Sequence, residues 1–242
     1  MRRISYIFFI FFSCAALAQN QDTLKTRKIA WGISFSPDYC YRTLDYQNSA
    51  QWIEKKRNKE EVARIGFTFG INLSRKIANA FSMDAGLLFS EKGEKTKWEK
   101  LNWNRSEASF PAESRVIYRY QYFDVPLKLN YYLSKGKFRF FVSAGVSTNF
   151  FIRQTTVLQV READGDKTAN KSYEPGIYSR VNFAGLLSAG MSVDLAKRVS
   201  LRLEPIFRRS LSPVLVNVSN KEYLYSLGLN IGIYLRLKNK PA

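Results

Sequence analysis

The stretch Tyr223 to Leu237, YLYSLGLNIGIYLRL, separates into two faces. Every odd position (Tyr223, Tyr225, Leu227, Leu229, Ile231, Ile233, Leu235, Leu237) is apolar, while Ser226, Gly228, Asn230, Gly232 and Arg236 on the even positions are small or polar. A repeat of two is that of a β-strand, whose side chains alternate between faces. Soluble strands usually run about five or six residues. An alternation sustained this long fits a strand with one face against lipid.

Working backwards, seven more segments repeat the pattern: Ile29 to Tyr39, Arg64 to Ser74, Phe81 to Glu91, Phe123 to Leu133, Phe138 to Arg153, Val181 to Leu195 and Val199 to Arg208. In the second, for example, Ile65, Phe67, Phe69, Ile71 and Leu73 oppose Arg64, Gly66, Thr68, Gly70 and Asn72. The connections alternate as well. Those around Arg75 to Asn79, Ser134 to Lys137 and Ala196 to Arg198 are short, whereas Arg42 to Glu61, Lys92 to Arg115, Gln154 to Arg180 and Arg209 to Glu222 are long. An even number of antiparallel strands, with short periplasmic turns and long external loops, is the plan of a bacterial outer-membrane barrel. The expected fold is therefore all-β: an eight-stranded antiparallel transmembrane β-barrel with short periplasmic turns and long extracellular loops, placed in the outer membrane of a Gram-negative bacterium.

The N-terminus is consistent with export. Arg2 and Arg3 precede the apolar run Ile4 to Phe12, and Ala16-Leu17-Ala18 supplies a small-x-small cleavage site. This predicts a signal peptide over 1–18, a periplasmic segment over 19–28, the barrel over 29–237 and a short tail over 238–242. A lipoprotein signal modified at Cys14 is the alternative, although Phe12-Ser13-Cys14-Ala15 places an aromatic residue where that signal favours a smaller aliphatic one. With Cys14 removed, Cys40 has no partner for an intramolecular disulfide. No later window approaches the roughly 18–20 apolar residues of a membrane helix.

The formal net charge is +18, or +16 once Arg2 and Arg3 are removed. Such a value suggests nucleic acid as a partner, but export and the charge distribution argue against it, and none is expected. The short turns carry Arg75, Lys76, Lys135, Lys137, Lys197 and Arg198 without an acid, and Lys25, Arg27, Lys28, Lys238 and Lys240 flank them. The connection from Lys92 to Arg115 is closer to balance, with six basic and four acidic residues. A basic periplasmic rim suits anionic phospholipid headgroups or an acidic periplasmic partner. It also suits a simpler role in orientation or solubility.

The chain contains no histidine. Serine–histidine triads, histidine-dependent barrel hydrolases and ordinary zinc sites all use imidazole as base or ligand. The expectation is a protein that is not an enzyme and has no catalytic, cofactor-binding or metal site. Asp164-Gly165-Asp166 lacks the remaining ligands of a calcium loop and reads as a turn.

Eight charged residues fall on the inward face: Asp84, Asp124, Lys128, Arg139, Asp194, Arg202, Glu204 and Arg236. An eight-stranded lumen is just wide enough to be filled by side chains. Their mixed signs fit a network of mutually paired ions better than a selective pore, which favours rings of one sign. Tyr118, Tyr120, Tyr122 and Phe123, Tyr131 and Tyr132, and Trp31 and Tyr39 are placed near strand ends, as bilayer anchors are. Trp52, Trp98 and Trp103 lie in external connections and are candidate contacts, either for a partner or for loop packing.

The run Tyr122-Phe123-Asp124-Val125-Pro126-Leu127-Lys128-Leu129 resembles the signature of the PorT-like outer-membrane β-barrel family, as does Gly86 to Gly93 (GLLFSEKG) more weakly. The resemblance extends to the Gly-rich closing strand and implies the barrel fold and the outer membrane. One named member of that family belongs to a protein-secretion apparatus. Pro126, which lacks a ladder donor, is expected to mark a bulge or kink. The chain ends in a Lys-Asn-Lys-Pro-Ala tail after Leu237, where many barrels finish on an aromatic residue. The functional expectation is a noncatalytic structural or interaction component of a secretion or envelope complex. A small transport or channel barrel, and surface adhesion through the long loops, are the alternatives.

Overall fold

The computed structural model describes residues 29–103, 111–162, 167–173, 178–216 and 220–237. The expected signal peptide, the segment 19–28 with its three cations, Asp164 to Asp166 and the tail 238–242 lie outside the described residues.

The strands are β1 (Ile29–Asp45), β2 (Glu61–Lys76), β3 (Phe81–Thr96), β4 (Glu99–Lys100), β5 (Pro111–Tyr132), β6 (Phe138–Glu162), β7 (Lys167–Tyr173), β8 (Val181–Asp194), β9 (Val199–Ser210) and β10 (Lys221–Arg236). An α-helix, α1 (Gln51–Glu60), preceded by a 3-10 turn at Asn48–Ala50, lies between β1 and β2. Eight strands close a ring in the order β1-β2-β3-β5-β6-β8-β9-β10, and β10 pairs back onto β1. All pairings are antiparallel.

Register explains why the ring holds in a bilayer. Ile33 lies opposite Ile233 on one side and Ile71 on the other, and Ile71 lies opposite Leu87. These four side chains form an outward row that is half or more exposed. One residue further along β1, Ser34 lies between Gly70 and Gly232 and faces inward, buried. The apolar face is thus outside and the polar face inside, the reverse of a soluble β-protein and the arrangement a hydrocarbon solvent selects.

The turns β2–β3, β5–β6 and β8–β9 are tight. Ile77 N donates to Phe81 O at 2.9 Å, Leu133 N to Phe140 O at 2.8 Å and Leu195 N to Val199 O at 3.0 Å. Gly136 takes φ +110° in the second of these turns, a conformation glycine adopts without a Cβ penalty. Short turns mark the periplasmic end.

At the other end the structure departs from the sequence expectation. Much of the connections read as loops is strand: β5 begins at Pro111, β6 runs on to Glu162, and β4 and β7 flank them. Above the barrel, β4, β5, β6 and β7 form a sheet in that order, a fin beyond the membrane. Hydrophobic alternation stops where lipid stops, so these extensions carry no apolar period. The connection after β1 similarly contains α1, which buries no residue and so shows no helical stripe.

Two further expectations are corrected. Tyr120 and Tyr122 are 5% and 2% exposed and face inward, where they pack with Val214 and Leu224 against Tyr118, Phe151 and Tyr178. They occupy even positions of β5, opposite in parity to the outward Phe123, so they plug the lumen instead of anchoring at the bilayer surface. Tyr132 also turns inward, whereas Trp31, Tyr39 and Tyr131 are exposed on the outward face. At Pro126 there is no bulge. Ala85 pairs with Leu127 and Leu88 with Asp124 in one unbroken register, and Gly86 leaves room for the proline ring. The irregularity of β5 falls instead between Gln121 and Tyr122, opposite Ile152.

Candidate functional site

The lumen is built in tiers. Nearest the periplasm, Arg139 Nη2 donates to Asp194 Oδ1 at 2.7 Å, and Arg236 pairs with the same oxygen. Above it, Arg202 Nη1 is 2.5 Å from Asp84 Oδ2, while its Nη2 donates to Tyr132 Oη at 3.1 Å. The guanidinium lies 4.2 Å from the ring centroid of Tyr234, a contact that compensates a desolvated cation. The next tier sets Lys128 Nζ 2.5 Å from Glu204 Oε1, which also accepts from Ser188 at 2.6 Å, while Glu204 Oε2 accepts from Asn230 at 3.0 Å.

A fourth tier contains partners the sequence reading did not single out. Arg208 Nη1 is 2.8 Å from Asp38 Oδ1, and Asp38 further accepts from Ser36 at 2.6 Å and Thr68 at 2.5 Å. Lys92 Nζ is 3.1 Å from Asp124 Oδ2. Asp38 and Arg208 share the polar parity of their strands, and Lys92 continues the even face of β3 past Ser90. That parity was the signal available for all three. The eight charged residues assigned to the lumen all make an ion pair, but Asp124 pairs with Lys92, not with another of the eight.

Between the tiers lies a small chamber lined by Lys92, Lys128, Arg208, Asp124 and Asn149 among others. Its free space is about 20 Å³ for the centre of a water molecule, room for one or two waters. The aromatic cluster of Tyr120 and Tyr122 lies above the chamber.

The extracellular mouth is closed by charge. Arg57 of α1 donates from Nε to Glu61 Oε1 at 2.6 Å and from Nη1 to Tyr46 Oη at 2.5 Å, and it pairs with Glu222. Arg42 adds a 2.5 Å pair to Glu61 Oε2 and donates to Asn58 of α1 at 2.8 Å. Glu94 is fully buried beside them, with Arg57 Nη2 at 3.9 Å. Burial, with the Glu222 and Glu61 carboxylates nearby, pushes its carboxyl up to about 8. Arg57 is held charged by Glu61 and Glu222 despite its burial.

The remaining sequence candidates lie apart. Arg75 is half-buried, and Lys76, Lys135, Lys137, Lys197 and Arg198 are exposed around the short turns. Trp98 stacks between Arg115 and Arg161, each guanidinium 4.5 Å from its ring centroid. Trp103 Nε1 donates to Pro111 O at 2.6 Å, while Trp52 on α1 is 67% exposed. Among the described residues no cluster of three or more acidic or cysteine side chains is placed to hold a metal ion.

A family model described as outer membrane protein beta-barrel domain matches residues 17–216. The chain belongs to that family. As an outer-membrane β-barrel it resides in the outer membrane of a Gram-negative bacterium, with its apolar row in the lipid bilayer. Solved barrels are similar in fold. Neisserial surface protein A is 10% identical, covering 86% of this chain and 97% of its own, with a TM-score of 0.44. The outer membrane protease OmpT of Escherichia coli is 7% identical, covering 91% and 100%, with a TM-score of 0.43. OprG of Pseudomonas aeruginosa is 11% identical, covering 87% and 97%, with a TM-score of 0.38. No curated protein matches the chain.

Proposed function

We propose that this outer-membrane barrel is a noncatalytic, non-conducting structural or interaction component of a secretion or envelope complex. The observation that carries the reading is the closed lumen. Among the described residues, tiers of paired charge beneath buried tyrosines fill the lumen, whereas the exposed cations lie at the two rims. Conducting porins use about 16–18 strands, and eight leave an interior just wide enough for side chains to fill or for one small ligand.

The PorT-like resemblance of Tyr122 to Leu129 adds support for a secretion role. Its inward residues Asp124, Pro126 and Lys128 belong to the lumen packing, so the motif serves the barrel's interior and leaves partner contact to the rims. The basic periplasmic rim at Lys135, Lys137, Lys197 and Arg198 is the contact surface of this reading, facing an acidic periplasmic partner.

The test is extraction of the native outer membrane in mild detergent, affinity isolation of the protein and quantification of what accompanies it. A stoichiometric partner lost on charge reversal of these four residues is the expected result. Recovery of the barrel alone, or reproducible ion conductance of the purified protein in a planar bilayer, would overturn the proposal.

A further inference from the structure

β3 and β5 keep their register beyond the phenylalanine rung, and the extra residue of β6 at Ile152 sets Arg153 opposite Gln121, so the lipid-facing side of the barrel continues upward as one face of the fin. Its lowest rung is apolar: Phe89, Phe123 and Phe150 lie side by side on β3, β5 and β6. The next rung aligns Glu91, Gln121 and Arg153. Above it come Gly93, Arg119, Thr155 and Tyr173, and then Lys95, Ile117, Val157 and Lys171. Directly opposed residues share a face, so Arg119, Arg153, Lys95 and Lys171 project on the side that meets lipid below.

The charge there is only partly neutralised, since the one carboxylate of Glu91 is shared by Arg64 and Arg119. Glu91 is already engaged by Arg64 Nη2 at 2.7 Å and by Gln121 Nε2 at 2.9 Å. Burial would raise its carboxyl, but these two hydrogen bonds, with the charges of Arg64 and Arg119, outweigh burial and hold it below the usual range. Arg119 pairs with Glu91 through a buried Nε at 3.9 Å, which has no hydrogen-bond partner among the described residues, and its side chain as a whole is about one-third exposed. Arg153 is exposed, donates from Nε to the neutral Gln121 at 2.6 Å and lies 5.6 Å from the ring centroid of the exposed Tyr173.

Height selects the ligand. Strands rise about 3.3 Å per residue and tilt near 40° in such barrels, so the Arg153 rung lies roughly 5 Å, and the Arg119 rung roughly 10 Å, above the phenylalanine rung. The headgroup layer extends roughly 5–8 Å beyond the hydrocarbon on each side. Two guanidinium groups with surplus charge therefore bracket the level of lipid phosphates, and guanidinium matches phosphate geometry.

We infer that Arg119 and Arg153, with Tyr173 beside them, form a binding site for the phosphate groups of an anionic outer-leaflet lipid. The inference is independent of the proposed role in a complex and uses the opposite rim.

The test reconstitutes the protein into phosphatidylcholine vesicles doped with lipid A, a phosphorylated glycolipid, and measures by native mass spectrometry the lipid A retained on extraction. Heat-modified gel mobility verifies folding of each variant. R119Q/R153Q is expected to lower retention roughly fivefold for each cation removed, K55Q/K59Q on the exposed side of α1, with the same charge loss, to leave it unchanged, and dephosphorylated lipid A to be retained no better than phosphatidylcholine. Equal retention by wild type and R119Q/R153Q would overturn the inference. So would a soluble sulfated oligosaccharide that binds wild type and not the variant while lipid retention stays the same, since the face would then serve a soluble polyanion.

Discussion

Arg202 on β9 reaches across the lumen to Asp84 on β3, its Nη1 standing 2.5 Å from Oδ2. The two strands are not neighbours in the ring, so the pair ties opposite walls together in an environment without bulk water. Removing one partner leaves an uncompensated buried charge, which costs about 3–5 kcal/mol. R202M and D84L are each expected to lose stability on that scale, while the double variant recovers most of it. Urea unfolding of the folded barrel in lipid vesicles, arranged as a double-mutant cycle, measures the coupling. Additive losses would remove the pair's role.

Two glycines are required for different reasons, and substitution separates them. Gly228 of β10 lies opposite Asp38, and a Cβ there would collide with the Asp38 carboxylate and the Ser36 hydroxyl. Gly136 has open space around it and is constrained only by its positive φ. G228A is expected to cost about 1–3 kcal/mol by overpacking the Asp38–Arg208 tier, and G136A about 1 kcal/mol from backbone alone. Unfolding midpoints of the two variants at equal denaturant slope would show the order. A harmless G228A would mean that the tier yields.

The membrane-spanning part of the fold was legible because hydrocarbon imposes a period of two that survives in the sequence. Ile33, Ile71, Leu87 and Ile233 could be placed on one face from parity alone. Parity also located Asp84, Lys128, Arg202 and Glu204 in the lumen, though not who pairs with whom, since partners such as Arg202 and Asp84 are 118 residues apart. Tyr120 and Tyr122 were misread because their aromatic character was weighed above their even parity. The fin and α1 were illegible for a different reason. Outside the bilayer no hydrocarbon sorts the two faces of a strand, and Arg115, Arg119 and Arg161 carry no hydrophobic alternation to betray β-structure. Arg57 gave no signal either, because its three carboxylates, Glu61, Glu94 and Glu222, come from three separate strands.

The helix α1 depends on Arg57. It has ten residues, buries none of them and lacks a side-chain N-cap, and isolated helices so short are marginal in water. Arg57, through Glu61 and Glu222, and Asn58, through Arg42, fasten it to the barrel. R57Q is expected to raise amide hydrogen exchange across 51–60 by at least an order of magnitude, since it removes the ion pairs that tie the helix to Glu61 and Glu222, while exchange in β1 and β10 below Tyr39 and Leu227 is unchanged. Unaltered protection of α1 would show that the helix is held elsewhere.

Glu94 makes the stability of this cap depend on pH. Its carboxyl titrates near 8 in the folded protein because of burial and the neighbouring Glu222 and Glu61, against an ordinary value of 4.5. Between those two values the folded state holds a proton that the unfolded chain has released. Stability therefore falls as pH rises through this window, by up to about 1.4 kcal/mol per unit from this group, and levels off above it. E94Q retains the buried polar shape without the proton equilibrium, so its stability is expected to lie on a flatter curve and to exceed that of wild type above pH 8. Urea unfolding of both proteins in the same lipid from pH 5 to pH 9, about the span of the window, gives the two curves. Parallel curves would mean that Glu94 carries its charge in the folded barrel, and the carboxylates around Arg57 would then be balanced by that arginine and Arg42 alone.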